Sequence, residues 1–234
     1  MNLRHNLGLL YYLAPHMRVV KNRWGFCISV LLGFSRYKVK INQMKSLVFE
    51  KKQFHILLPL LGILSYATHY SLTSKNMVKV SFDSKNWFTL PLTDFSKEDE
   101  NLVDLLYQGI KNGVNFVTQD IPADRKKTLK IIDVDGKKIV ETYQGIKFFL
   151  ELIHPGNTII ETFINDIHSI AGNDNWENKT VIDIGAECGD TALYYANLGA
   201  GVYSFEPIKN NFDSIQENLK LNPDLSKKIT PINA

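Results

Sequence analysis

Cysteine is scarce in this sequence: two residues in 234, Cys27 and Cys188, far apart and without C-x-x-C spacing. That excludes a disulfide framework and a cysteine-built zinc site, and makes a reducing, cytoplasmic setting the default expectation. Acid is nearly missing from residues 1–52, where Glu50 alone stands against ten basic groups, a local net of +9. The remainder holds 17 basic and 23 acidic residues, a net of −6, so the overall +3 conceals two stretches of opposite sign. Long apolar runs are missing too: residues 7–13, 24–34 and 56–64 all fall short of the ~18 uninterrupted apolar residues that a spanning helix needs. No small-residue cleavage site follows a clean apolar core, which argues against a secretory signal. Internal repeats and low-complexity tracts are also lacking.

What is present falls into three stretches. Residues 1–76 read as a basic and apolar extension, expected to be largely helical, whose cations form a solvated face. A peripheral membrane contact through that basic region is the second reading, and nucleic-acid binding is not expected. Within it, Pro59 and Gly62 interrupt the most apolar run and predict against a continuous helix there; buried core or an interfacial element is expected instead.

Residues 77–171 read as a small α+β region with a hairpin. Val78, Val80 and Phe82 alternate as in a strand, and residues 87–90 continue the pattern to Pro91. Ser96-Lys97-Glu98-Asp99 is a capping-box-like start for a helix through Leu102, Leu105, Leu106 and Ile110 that Gly113 stops. Residues 114–117 read as a strand, and Asp135-Gly136 between two β-branched runs is a hairpin signal. The spacing of Ile146, Phe149, Leu152 and Ile153 predicts a helix over residues 143–153, while residues 158–171 fit helix or strand equally. Asp133-x-Asp135-Gly136 has the look of a calcium loop but lacks the remaining ligands. Glu161, Asp166 and His168 share no face at either periodicity, so no metal or acid-base cluster is expected of them. Asn178-Lys179-Thr180 fits a glycosylation sequon but leads straight into a core strand.

Residues 172–234 carry the chemistry. Val181, Ile182 and Ile184 suggest a parallel strand buried on both faces, ended by Gly185. Gly185 and Gly189 bracket a turn where backbone can approach a ligand, and Asp190 and Thr191 are candidate caps for the helix that follows. A second strand, residues 202–205, ends on Glu206-Pro207. Glu206 lies 21 residues beyond Gly185, the distance at which a nucleotide-binding βαβ unit places a carboxylate against ribose hydroxyls. Asp183 before the turn and Asp190 after it would repel a pyrophosphate but attract a sulfonium or an ammonium. The spacing also lacks the third glycine of a dinucleotide site, which leaves a nicotinamide-dependent oxidoreductase as the weaker enzyme alternative. Cys188 has no neighbouring histidine in sequence to activate it and is expected to pack. A helix with Phe212, Ile215 and Leu219 follows, then a third strand at residues 229–232.

Residues 181–196, with Val202-Tyr203-Ser204-Phe205-Glu206-Pro207 and the Asn- and Lys-rich segment 209–222, resemble the FkbM-type family of class I S-adenosylmethionine-dependent methyltransferases. The chain departs from that pattern at Glu187, where the family usually has Asn, and at Cys188, where an aliphatic residue is common. The resemblance implies an α/β, Rossmann-like fold, here incomplete at the C-terminus and preceded by the α+β region. It implies S-adenosylmethionine as cofactor, with Asp183, Gly185, Gly189, Asp190 and Glu206 as its binding residues. The acceptor it implies is a hydroxyl of a small molecule or glycan. Only three strands of the implied sheet of about seven are present, so the expectation is a fragment with little or no transferase activity, no assignable base and no metal. A non-catalytic binding or membrane-associated protein that keeps the βαβ unit as scaffold is the alternative of a different class.

Overall fold

In the computed structural model, residues 3–41, 46–73, 76–119, 126–170 and 175–234 are described. They belong to two compact units, Met1–Ile110 and Lys111–Ala234. The first unit opens with α1 (Leu3–Leu13) and α2 (Arg23–Leu31), joined through a 3-10 turn at Ala14–Val19. The Asn6 amide donates to the Leu31 carbonyl at 3.0 Å, tying the start of α1 to the end of α2. An antiparallel hairpin follows, β1 (Arg36–Lys40) and β2 (Ser46–Glu50). Its period-2 alternation turns Tyr37, Val39 and Phe49 into the core and Arg36, Lys38 and Lys40 to solvent.

Helix α3 (Phe54–Tyr66) runs unbroken through Pro59 and Gly62, contrary to the expectation from those two residues. Burial explains the difference. Leu57, Leu60, Leu61, Ile63 and Leu64 are all essentially inaccessible, each worth roughly 1.5–3 kcal/mol, against the ~3 kcal/mol that an interior proline costs. Gly62 has a packing reason as well: a Cβ there would lie 2.3 Å from Cε2 of Tyr107, so only glycine admits that ring. Beneath it the buried His16 bridges two helices, with Nδ1 3.1 Å from the Ser65 hydroxyl and Nε2 3.2 Å from that of Tyr107. A meander, β3 (His69–Leu72), β4 (Met77–Ser81) and β5 (Phe88–Pro91), precedes α4 (Lys97–Lys111). The capping box holds: Asp99 N donates to Ser96 Oγ at 3.1 Å while Ser96 N donates to Asp99 Oδ2 at 3.1 Å.

The second unit begins with a sheet in the order β6 (Asn115–Val117), β7 (Thr128–Val134), β8 (Lys137–Glu141), β9 (Lys147–Phe149). Asp135 (φ +52°) and Gly136 (φ +81°) make the tight turn between β7 and β8, and Asp133 accepts the Gly136 N–H at 3.0 Å. Residues 143–153 are not a helix: a turn at Gly145 leads into β9 and a short 3-10 turn, Leu150–Leu152. The residues buried there, Ile146, Phe148 and Leu150, recur at period 2, and that alternation outweighs the helical spacing of their neighbours. Gly156–Ile164, ambiguous in sequence, winds as a π-helix, closed by the Asn165 N–H on the Ile160 carbonyl at 2.8 Å. The loop expected from Gly172 begins outside the described residues.

A βαβαβ succession completes the unit: β10 (Thr180–Ile184), α5 (Asp190–Asn197), β11 (Gly201–Phe205), α6 (Lys209–Lys220), a short α7 (Pro223–Ser226) and β12 (Ile229–Ile232). The strands are parallel in the order β10-β11-β12. Burial of this sheet is one-sided, which corrects the expectation of a strand covered on both faces. Val202 and Ser204 are buried, whereas Ile182 is 65%, Ile184 83% and Tyr203 48% exposed. Two side-chain amides, Asn218 on α6 and Asn222 at the cap of α7, fasten this segment to β9. Asn222 accepts from Lys147 N at 2.9 Å and donates back to Lys147 O at 2.7 Å, so its amide acts as a strand partner would, and Asn218 accepts from Phe149 N at 3.1 Å.

Candidate functional site in the turn after β10

The turn from Gly185 to Gly189 is folded by backbone hydrogen bonds. Gly185 (φ +81°) and Ala186 both donate to the Phe205 carbonyl, at 2.9 and 3.1 Å, and Gly189 N donates to Ala186 O at 2.7 Å. The two glycines serve different ends. A Cβ on Gly189 (φ +85°) would meet Ile215 Cγ2 at 3.3 Å, so that glycine seats the turn on α6. A Cβ on Gly185 would meet nothing within 4 Å, so that glycine faces open space. Glu187 also takes positive φ (+48°), and its carboxylate lies 3.4 Å from His154 Nε2 in an exposed pair.

Besides Glu187, three carboxylates gather around this turn. Glu206 is buried, 3% exposed. Its Oε2 accepts the Glu187 N–H and its Oε1 the Ile208 N–H, each at 2.8 Å. It thus clamps the turn to the end of β11, and each oxygen keeps a lone pair for a second donor. Asp190 is the first residue of α5 rather than its cap; the cap position is Gly189 in the left-handed conformation, with no side-chain bond, and Thr191 lies inside the helix. Here glycine's freedom at positive φ decided the boundary over the capping preference of aspartate. The Asp190 carboxylate instead accepts the Thr162 hydroxyl at 2.7 Å. Burial raises its pKa, and the Thr162 bond opposes that.

Asp183, near the end of β10, has a buried Oδ2 without a hydrogen-bond partner. Burial, then the charges of Asp190 and Glu206, lift its pKa from 3.8 to about 6. The register sets Asp183 beside Ser204, whose buried hydroxyl likewise has no partner. A desolvated carboxylate with two acidic neighbours is stabilised by any cation that reaches it. Cys188 is buried among Thr158, at 3.5 Å, and Asp190, at 3.9 Å, and its thiol pKa is pushed up by burial, which suits packing and not nucleophilic attack.

Asp166 and His168 do reach α5, but separately: Asp166 accepts the Tyr194 hydroxyl at 2.5 Å, and His168 lies 3.4 Å from Thr191 Oγ1. Glu161 stays exposed, and no metal-holding group of acids, histidines or cysteines occurs among the described residues. Sequence reasoning missed Thr158, Thr162 and Asn218. Asn218, fully buried, donates to Cys188 O at 3.1 Å while holding β9, so one amide joins the turn to the neighbouring sheet. The signal was a polar residue on an apolar stripe: Thr158 and Thr162 among Ile159, Ile160 and Phe163, and Asn218 between Ile215 and Leu219.

No family model matches the chain, and no curated protein matches it. Among solved structures, the M. jannaschii tRNA m1G37 methyltransferase aligns over 100% of this chain and 72% of its own, at 13% identity and a TM-score of 0.27. A likeness at that level bears on neither topology nor chemistry. Among the described residues, no helix is long and apolar enough to cross a membrane.

Proposed function

We propose that the βαβαβ segment is the cofactor-binding part of a Rossmann-like domain, and that the protein is an S-adenosylmethionine-dependent methyltransferase of FkbM type acting on a hydroxyl of a small molecule or glycan. The observation that carries this reading is the orphaned, buried oxygen of Asp183, two residues before a glycine that faces open space, where burial and then two neighbouring carboxylates raise its pKa to about 6. Such a site disfavours a pyrophosphate and favours a ligand that brings positive charge, as the sulfonium and ammonium of S-adenosylmethionine do. When bound, that cofactor supplies a methyl group already activated for transfer. The residues' own tasks then follow. Gly185 leaves room for close approach, Asp183 offers its free oxygen to the cation, and Asp190, held by Thr162, adds to the negative potential. Glu206 fixes the turn through the Glu187 amide and has lone pairs left for ribose hydroxyls. The acceptor hydroxyl needs a base at near-attack geometry, which these residues do not identify.

Equilibrium binding of S-adenosylmethionine and of NAD to the full chain tests the reading. The methyl donor should bind in preference. Its affinity should fall about tenfold between pH 7 and pH 5, as Asp183 takes up a proton and ceases to attract a cation. Gly185→Ala should weaken binding at least tenfold while costing only the ~1–2 kcal/mol of a left-handed alanine. Preference for NAD, or an affinity indifferent to Gly185→Ala, would reject the assignment.

A further inference from the structure

The first unit carries a surface that the cofactor site leaves unexplained. Trp24 and Ile28 on α2 and Leu32 at its C-cap recur at i, i+4 and i+8 and point outward, with Trp24 76% exposed. On α1, tied to α2 through Asn6 and Leu31, Leu7 and Tyr11 stand one turn apart, with Tyr11 79% exposed and Tyr12 beside it. Phe34 extends the exposed apolar series beyond α2. These are large side chains on whole helical faces, not scattered singles, whereas the opposite faces of the same helices bury Asn6, Leu13, Phe26 and Val30 in the unit's own core.

The charge along the chain around this surface is almost wholly basic, the exception being Glu50, which stands opposite Arg36 across β1 and β2. Lys21 and Arg23 precede Trp24, Arg36 follows Phe34, and Lys38 and Lys40 project from the outward face of β1. All are exposed, and Glu50 is the only acid in residues 1–52. Aromatic and aliphatic side chains flanked by lysine and arginine match a bilayer interface, where indole and phenol rings settle at headgroup depth and cations meet anionic headgroups. We infer that α1 and α2 form a peripheral docking face for an anionic lipid bilayer, seated by Trp24, Ile28, Leu32 and Tyr11 and held by Lys21, Arg23 and Arg36. This inference is independent of the cofactor reading.

Co-sedimentation of the full chain with vesicles of phosphatidylglycerol and of phosphatidylcholine tests it. Binding should be at least tenfold stronger to the anionic vesicles and should weaken from 50 to 500 mM salt. Lys21→Glu with Arg23→Glu should lower partitioning about tenfold or more, and Trp24→Ser with Ile28→Ser should lower it comparably. These positions are exposed, so the variants should keep the parent's circular dichroism and melting temperature. Brominated lipid should quench the parent's tryptophan fluorescence and lose most of that effect in Trp24→Phe. Failure to sediment with anionic vesicles at 50 mM salt would overturn the inference. So would binding that needs Lys21 and Arg23 but ignores Trp24 and Ile28; the same charge dependence on a single-stranded oligonucleotide would then identify a nucleic-acid partner instead.

Discussion

Replacing Asp183 with asparagine should make the protein more stable and its proposed cofactor site weaker, and the two effects should separate by pH. Asp183 carries a pKa of about 6 in the folded chain against an ordinary value of 3.8. A shift of roughly two units corresponds to ~3 kcal/mol of unfavourable ionisation; because solvent reaches part of the group, the measurable share is about 1–2 kcal/mol. The folded pKa is the higher one, so the group's contribution is most favourable below pH 3.8 and is lost as pH rises through 6. Asp183→Asn should therefore gain little at pH 4 and its full increment at pH 8, a rise of roughly 3–8 °C in melting temperature. Amide hydrogen exchange across β10 and β11 reads the second unit directly and should show the same pH-dependent protection. S-adenosylmethionine affinity at pH 8 should drop at least tenfold in the same variant, since the neutral amide no longer attracts a cation. An asparagine variant that is less stable at pH 8, or equally stabilised at pH 4 and pH 8, would refute the electrostatic account of this site.

Asn218→Ala removes the partners of Phe149 N and Cys188 O in a fully buried position, and should cost about 2–4 kcal/mol in denaturant unfolding; a loss under about 0.5 kcal/mol would show that water replaces the amide. Ile182→Thr with Ile184→Thr should shift stability by no more than about 0.5 kcal/mol, because both side chains are exposed, and should lower binding of a hydrophobic dye. A large destabilisation would mean that this sheet face is covered in solution.

How far the sequence alone leads depends on whether a feature is local. The turn after β10, the hairpin at Asp135-Gly136 and the start of α4 were all legible. Each is specified within a few residues by glycine's access to positive φ or by a side chain bonding its own backbone. The failures share the opposite property. Pro59 and Gly62 are helix breakers by local propensity, yet α3 persists because residues distant in sequence bury it and the Tyr107 ring occupies the space a Gly62 side chain would fill. Residues 143–153 contain two competing periodicities, and packing chose the alternating one. The apolar run of β10 implied cover on both faces, but hydrophobicity records only that a residue tolerates burial, and Ile184 is left exposed.

The same division runs through the candidate site and bears on what its acids can do. Spacing sufficed to place Asp183, Gly185, Gly189, Asp190 and Glu206 around one turn, because a strand, turn, helix and strand of fixed length leave few alternatives. It could not show how the three carboxylates differ, since that is decided by partners elsewhere in the chain. Glu206 has both oxygens engaged by backbone N–H groups, and Asp190 has the Thr162 hydroxyl from the π-helix, while Asp183 keeps a buried oxygen unpaired. Those hydrogen bonds fix the Glu206 and Asp190 carboxylates in position, although burial still raises the Asp190 pKa. Asp183 alone combines burial, like-charged neighbours and an unmet acceptor, so it is the acid whose free energy has most to gain from a cation. Of five residues equal in the sequence pattern, it is the one on which ligand binding should chiefly depend.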